Sequence, residues 1–439
     1  MSKILIFNIL LVLSFNSFSQ TFWKIENEYG DEILLTIEVN TVKNTFEAYT
    51  RKDALKDIAG TFTYTLAKTA GKLKYPEIVF IEGKTRQVKD SLMLTGTFTY
   101  FDKQYPFMAA ISGTAFKGNY IDRNKPRRLA GVKMPTSLPI RDYSAIINSA
   151  FALTEKNILN RTWLKSDEWL DFRKNINELK PKMTDDYELA ASFVWLGKKL
   201  PFSSYEINKT RPQGKLSIRK NVAVIRELKS NTALVDVNSM PSTKKEIDSI
   251  SLIIAKKGYN NLIIDLRGRR SLNPQVANEW INFLSDKAFV AGVFLTRKWF
   301  DSNVSIPSVQ DYTKLFRSFS DAGLKDGELY KETGRVLNCI PRAKTFKGKV
   351  FVLTDSKTSK ISEVLAYVLK REKIAVVVGQ KTAGASAMVE NLMINGEYGL
   401  VLPVADFYNC EGKSLNKIGV EPDRIISGED ALSNILKSL

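Results

Sequence analysis

Short apolar, β-branched runs alternate with helical patterns in the second half of the chain, and this alternation constrains the fold most strongly. NLIID (261–265), VFVLT (350–354) and IAVVVG (374–379) have the composition of strands buried on both faces. Residues 361–372, between the last two runs, repeat apolar side chains at helical spacing. From about residue 206 onward, the sequence therefore predicts βαβ units and a largely parallel sheet.

Four motifs follow one another in this region. They are LIIDLRGRRS (262–271), FVLTDSKTSKISEVLAYVL (351–369), VVVGQKTAGAS (376–386) and IGVEPD (418–423). Their order and wording resemble those of the tail-specific, or C-terminal processing, proteases, especially the tricorn-core-like branch of these serine peptidases. Four motifs in the family's order are stronger evidence for the resemblance than one short motif would be. The resemblance covers about the C-terminal half, and it implies a crotonase-like α/β fold that acts on peptides or protein C-termini.

The positions that carry catalysis in that family hold other residues here. Glu363 matches the family glutamate, which places the nucleophile position at Lys360. The lysine base of one branch corresponds to Ala385. The histidine base of the other branch corresponds to Ser204, within LGKKLPFSSYEI (196–207), and the whole chain contains no histidine.

A serine hydroxyl is a weak nucleophile until an adjacent base takes its proton. With both bases and the nucleophile replaced, we expect no catalytic residue and interpret the chain as a pseudoenzyme. Two alternatives stay open. A relocated nucleophile, Ser359 or Ser362, could act through Lys360 or Lys381, or Lys360 itself could be a new reactive group. A third hypothesis is a purely structural or partner-docking protein.

The retained cleft is predicted to bind rather than to cleave. The family's glycine run is replaced here by residues that begin with Arg269 and Arg270, and with Gly384 and Lys360 these form the expected binding residues. The segment 397–415 resembles the family strand beside which a substrate lies, so peptide binding by strand addition is expected. The predicted partner is a peptide or protein C-terminus, or an anionic envelope component.

The charge balance is strongly basic, with 65 Lys and Arg against 47 Asp and Glu and a formal net charge of +18. In an exported chain this favours anionic surfaces over nucleic acid, although scattered solvating lysines are the plainer interpretation. No spacing of metal ligands or cofactor motif occurs, so neither a metal nor a cofactor is expected. The sequence leaves the oligomeric state open.

Export is expected from the first 19 residues, which have the pattern of a signal peptide. Lys3 is followed by the apolar run 4–15 and by small residues at 17 and 19. The run is shorter than the roughly 20 residues that span a bilayer, so we expect a periplasmic or extracellular protein without a transmembrane span. Cys339 and Cys410 could then pair, or remain two buried thiols.

Residues 20–130 are predicted to be rich in strands. In ILLTIEV (33–39), alternation places Leu35, Ile37 and Val39 inward and Thr36 and Glu38 outward. AGTFTYTLAK (59–68) recurs as TGTFTYFDKQ (95–104), and both copies are interpreted as strands. An antiparallel barrel or sandwich is the natural architecture for such a segment.

Residues 131–205 are predicted to be helical, with helices in 143–159 and starting near Asp167 and Asp186. Thr243 and Glu246 form a capping box before another helix. The fold class is therefore α+β and multidomain, with a signal peptide (1–19), a β-rich domain (20–130), a helical segment (131–205) and a protease-like domain (206–430). Residues 286–348 fit no pattern and are interpreted as an insertion or surface cover.

Overall fold

A computed structural model describes residues 18–122, 124–135, 141–210, 225–229, 231–235, 243–268, 273–303, 305–320, 329–427 and 430–439. The chain divides into two compact units. One contains the residues up to 143 together with 179–192, and the other contains 144–178 and 193–439. Most of the predicted signal peptide, residues 1–17, lies outside the described residues.

The first unit is built on a closed antiparallel barrel of eight strands, which confirms the predicted β-rich N-terminal fold. The strands are β1 (Phe18–Asn27), β2 (Glu32–Asn40), β3 (Thr45–Tyr49), β4 (Val79–Val88), β5 (Ser91–Tyr100), β6 (Lys103–Ser112), β7 (Ala115–Asp122) and β8 (Lys125–Met134). Pairing of β1 with β8 closes the barrel. Buried aromatic side chains pack inside it, including Trp23, Phe98 and Phe116.

Two short helices, α1 (Ala54–Ala59) and α2 (Thr61–Thr69), connect β3 with β4. The prediction of a strand at 59–68 is therefore wrong. The similar sequence at 95–104 does form strand, at 95–100 and 103–104. The hydroxyls of Thr65 and Thr69 donate to the carbonyls four residues earlier, at 2.8 and 2.9 Å, so they are satisfied within the helix. The β propensity of residues 59–68 therefore does not decide their structure, because this segment connects β3 to β4 and does not pair within the sheet.

The outer face of β2 also departs from the predicted alternation. Leu35, Ile37 and Val39 are buried as expected, but Thr36 is only 5% exposed. The nearby backbone N–H groups of Glu32 and Leu34 bind the carboxylates of Asp186 and Asp185. Residues 179–192 thus cover this end of the strand, and side chains on both faces are buried.

The second unit contains two sheets. The first has the order β10 (Ile225–Leu228), β11 (Thr232–Val235), β12 (Asn261–Asp265), β16 (Lys349–Thr354), β17 (Val376–Gly379), β20 (Arg424–Ile425), and all neighbours except β10 and β11 are parallel. The second has the order β14 (Arg317–Ser318), β15 (Gly334–Cys339), β13 (Phe289–Thr296), β19 (Tyr398–Asn409), β18 (Met388–Met393), with β9 (Glu206–Lys209) also paired to β19.

Helices fill the space between these sheets and cover their outer faces. The largest core joins both sheets to α6 (Lys244–Lys257), α7 (Pro274–Leu284) and α10 (Ile361–Arg371). The first sheet is covered outside by α11 (Asp430–Ser438). The second is covered by α8 (Arg297–Ser302) and α9 (Val309–Leu315). The predicted βαβ order and the capping box of α6 are confirmed.

The central helices are α3 (Ser144–Asn157), α4 (Asp167–Leu179) and α5 (Asp186–Leu196), as the sequence predicts. The interpretation of 286–348 as surface cover is wrong, because β13 and β15 from this segment lie inside the second sheet. β15 was not predicted because it contains a charged residue, Arg335. This side chain is fully buried, and it donates hydrogen bonds to the Glu332 carboxylate and the Ser318 carbonyl. None of the described helices has the length and apolar character to cross a bilayer.

Candidate functional site

The turn between β16 and α10 places Lys360 in a strained backbone conformation. Lys360 has φ 57° and ψ −135°, a region that residues with a side chain rarely adopt. Its backbone N–H donates to the carbonyl of Ala385 at 2.8 Å. The predicted nucleophile position and one predicted base position are therefore brought together.

Glu363, in the first turn of α10, joins the helix to the loop after β17. Its fully buried carboxylate accepts hydrogen bonds from the Thr382 hydroxyl, from the N–H of Gly384 at 2.7 Å and from the N–H of Ala385 at 2.9 Å. Burial raises the pKa of Glu363, and these donors act against that shift. We call this arrangement the Glu363 clamp. The Gly384 N–H donates to Glu363, so it is not available to bind a ligand.

The ends of β12 and β16 meet beside Lys360. The Asp355 carboxylate accepts from the N–H groups of Gly268 and Thr358, both at 2.9 Å, and the Thr358 hydroxyl donates to the Leu266 carbonyl at 2.9 Å. The carboxyl ends of parallel strands form the edge at which α/β folds place ligands. The predicted binding residues Arg269 and Arg270 follow Gly268 directly but lie outside the described residues.

The two fallback serines lie in the interior. Ser359 is 7% exposed, and Ser362 is fully buried. The Ser362 hydroxyl has no hydrogen-bond partner among the described residues, so no base adjoins it. The ammonium of Lys381, a proposed activator, lies 2.7 Å from Glu421 on the surface. No contact therefore favours a relocated nucleophile at Ser362.

Ser204, at the histidine position, lies in the loop that precedes β9. It also has a positive φ, 63°, and is half-buried. Leu200, which the resemblance matched nearby, is fully buried. A serine hydroxyl cannot accept a proton near neutral pH, so Ser204 offers no general base.

Strand β19 differs from the expected substrate-binding strand, because both of its edges are used. Residues 399–401 pair with β18 on one side and β9 on the other, and 405–409 pair with β13. A peptide cannot add to β19 there. Within the described part of the chain, β18 has no strand on its outer edge, and it begins three residues after Ala385. Sequence reasoning missed β18 because polar residues interrupt MVENLM.

A buried carboxylate supports the loop next to β18. Asp406 in β19 accepts from the hydroxyls of Ser386 at 3.0 Å and Ser414 at 2.6 Å. Burial raises the pKa of Asp406 to about 6, against the effect of these donors. The two hydroxyls thus attach the segment before β18 and the segment after β19 to Asp406.

The described residues contain no group of three or more acidic or cysteine side chains that could hold a metal ion. Cys339 is buried, Cys410 is half-buried, and neither forms a disulfide. Of the two alternatives for these cysteines, the structure has the free thiols.

Residues 231–426 match the sequence profile of peptidase family S41. The chain is 31% identical over 119 residues to the carboxy-terminal-processing protease of Bartonella bacilliformis, covering 25% of this chain and 26% of that protein. It is 24% identical over 188 residues to the carboxyl-terminal-processing protease of Picosynechococcus, covering 43% and 37%. The matches thus span about a quarter and about a third of these relatives. The structure of a photosystem II D1 C-terminal processing protease aligns with 13% identity and a TM-score of 0.35, covering 66% of this chain and 94% of that one.

Proposed function

We propose that the protein, whose residues 231–426 match peptidase family S41, binds polypeptide chains without hydrolysing them. The observation that carries this proposal is Lys360 at the strained turn. The strained turn, its bond to Ala385 and the Glu363 clamp support the proposal, because they hold the matched positions in one ordered arrangement. The side chains at the nucleophile and base positions supply no route for a proton.

The open edge of β18 supports a place for the peptide. Strand addition uses backbone hydrogen bonds and needs no catalytic side chain. The positive charge of Lys360, on the turn bonded to Ala385, would attract a C-terminal carboxylate or acidic side chains. In this proposal the recognition domain begins near residue 206, because β9 pairs with β19.

Binding is tested with matched peptides that end in a free carboxylate or an amide, by calorimetry or fluorescence anisotropy. We expect the free carboxylate to bind about tenfold more tightly, and binding to weaken as salt screens the attraction. Lys360→Met should remove the difference between the peptides. Lys381→Met, at the exposed lysine paired with Glu421, is the matched control and should keep it. Equal binding of both peptides by the unmodified protein would exclude carboxylate recognition.

The absence of hydrolysis is tested on the same samples with a fluorophosphonate probe and a casein assay. We expect no labelling of the unmodified chain and no cleavage by Lys360→Ser, since neither base is restored. Stoichiometric labelling that disappears in Ser359→Ala or Ser362→Ala would instead establish a relocated nucleophile. Cleavage by Lys360→Ser would reveal a base that the sequence alignment overlooks.

Export is part of the proposal and rests on residues 1–19. The measurement is the intact mass of the protein recovered from the envelope or medium of expressing cells. We expect a chain shortened by the signal peptide, at or near residue 19. A full-length chain confined to the cytoplasm would refute export.

A further inference from the structure

A cavity of about 520 Å³ lies at the edge of the first sheet where its parallel strands begin. Its lining includes Lys349 at the start of β16, Lys373 in the turn between α10 and β17, and Arg424 at the start of β20. Lys360 follows the other end of β16, so it belongs to the opposite edge of the same sheet. We call this site the basic cavity. It is separate from the candidate functional site.

Three cations of the basic cavity have no acidic partner. Lys349, Lys373 and Arg424 are exposed, and within the described part of the chain their side chains form neither a hydrogen bond nor an ion pair. The fourth cation, Lys370, is paired with Asp423 at 3.2 Å, so these five side chains carry a formal charge of +3 (four minus one). A helix C-terminus supplies about half a negative charge, so the ends of α10 and α11, which border the cavity, offset about one of these charges. A surplus of positive charge remains for a bound anion.

Lys373 occupies a backbone position that favours glycine. Helix α10 closes with a Schellman motif, in which the Ile374 N–H donates to the Leu369 carbonyl at 2.9 Å and the Lys373 N–H donates to the Lys370 carbonyl at 3.0 Å. Lys373 has φ 56°, and helices that end in this way usually carry glycine at that position. Glycine would relieve the backbone there, but it would remove one of the three unpaired charges of the basic cavity.

The rest of the lining limits the kind of anion that fits. Phe351, Ile374 and Val376 contribute apolar side chains to the cavity. Its volume lies within the range of about 300–1,000 Å³ that is typical of sites for small organic molecules. The planar guanidinium of Arg424 can bind two oxygens of a phosphate at once, and the lysines add point charges. A small organic molecule that carries a phosphate therefore matches both parts of the lining.

We propose that the basic cavity binds a phosphate monoester of a small organic molecule. The phosphate lies between Arg424, Lys349 and Lys373, and the organic group packs against the apolar side chains. A phosphate monoester carries about −1.5 to −2 charges at pH 7, which balances the remaining surplus, whereas a carboxylate carries only one.

Isothermal titration calorimetry of the full chain with phenyl phosphate tests the proposal. We expect phenyl phosphate to bind about tenfold more tightly than benzoate, which carries one charge, and more tightly than inorganic phosphate, which has no apolar group. Increasing NaCl should weaken binding. Undetectable binding of phenyl phosphate at millimolar concentration would overturn the proposal. Equal affinity for benzoate would overturn the choice of phosphate, and equal affinity for inorganic phosphate would overturn the organic part.

Substitutions in the lining connect binding to the cavity. Arg424→Gln should weaken phenyl phosphate binding about tenfold, and Lys349→Gln with Lys373→Gly should weaken it at least as much. All three side chains are exposed and glycine suits φ 56°, so each variant should keep its thermal unfolding midpoint. Lys245→Gln with Lys256→Gln, at two exposed lysines of α6 outside the lining, removes the same charge as the lysine pair and is the matched control. Equal weakening by this control would mean that the attraction is diffuse, which overturns the site.

Two further measurements locate the ligand. Lys360→Met should bind phenyl phosphate as tightly as the unmodified chain, and loss of binding would place the phosphate at the candidate functional site instead. Acetylation of lysines followed by mass spectrometry should show that phenyl phosphate protects Lys349 and Lys373 but leaves Lys245 and Lys256 reactive. Acetylation of Lys349 and Lys373 that is the same with and without phenyl phosphate would contradict binding in the basic cavity.

Discussion

At the scale of single residues, the nucleophile position keeps its backbone geometry although its chemistry has changed. A lysine at φ 57° is strained, and such strain is typical of functional turns. The hydrogen bond from Lys360 to Ala385 and the Glu363 clamp hold the turn in place. A side chain at this position therefore costs stability.

Lys360→Gly should stabilise the protein relative to Lys360→Ala. The strain amounts to about 1–3 kcal/mol, and the greater freedom of glycine in the unfolded chain offsets about 0.5–1 kcal/mol. We expect the glycine variant to exceed the alanine variant by about 1 kcal/mol in free energy of unfolding. Urea denaturation measures the difference. A less stable glycine variant would show that the turn is not strained.

At the scale of elements, the Glu363 clamp attaches α10 to the loop after β17. One buried carboxylate serves three donors, two of which are backbone N–H groups. Buried donors that lose their acceptor are costly, since they have left water behind. The loop should therefore depend on Glu363 more than on any contact it makes at the surface.

Glu363→Ala should lower the free energy of unfolding by about 3 kcal/mol or more, because it leaves these donors without acceptors. Glu363→Gln is the matched control. Glutamine keeps the shape of the side chain and one carbonyl acceptor, so the free energy of unfolding should fall clearly less than in Glu363→Ala. Thermal and urea unfolding of the two variants provide the comparison. Similar losses would mean that volume, rather than the acceptors, is what the loop requires.

Elements with local signals could be predicted from the sequence. The capping box of α6 and the β16–α10–β17 unit depend on neighbouring residues, and both are present. The five residues Gly-Thr-Phe-Thr-Tyr occur twice: at 60–64 the last four are helical, and at 96–100 all five form strand. Distant contacts decide between them. Gly96 faces Gly83 in β4 so closely that a Cβ would lie 2.0 Å from the Glu82 carbonyl oxygen, whereas Gly60 has φ 78° at the start of α2.

The candidate site was predictable to the same extent. The ordered motifs identify Lys360, Glu363 and Ala385, and the structure joins all three. The pairing of β9 with β19 was not predictable, because about 190 residues separate the strands and the interaction leaves no local pattern. For this reason the sequence did not indicate that β9 occupies part of the β19 edge.

At the scale of the whole molecule, the barrel unit is not continuous in the chain. It includes residues 179–192, which return to the barrel after two helices of the second unit. Asp185 and Asp186 bind the N–H groups of Leu34 and Glu32 at 3.0 and 2.9 Å. These N–H groups belong to the part of β2 that extends beyond β3 and finds no strand partner there. Two adjacent carboxyl groups thus replace the missing strand as hydrogen-bond acceptors for this part of β2.

Asp185→Ala combined with Asp186→Ala should weaken the barrel unit specifically. Each substitution leaves a backbone N–H of β2 without its side-chain acceptor, so we expect a loss of about 3 kcal/mol or more in local opening free energy. Hydrogen exchange measured by mass spectrometry should show faster exchange in β1 and β2, with β12 and β16 unchanged. Asp167→Ala with Glu168→Ala, two exposed acids in the first turn of α4, is the matched control and should leave both units protected. Every contact that the Asp185 and Asp186 variant removes lies within the barrel unit. Faster exchange in both units would therefore mean that the two units open together in one cooperative step.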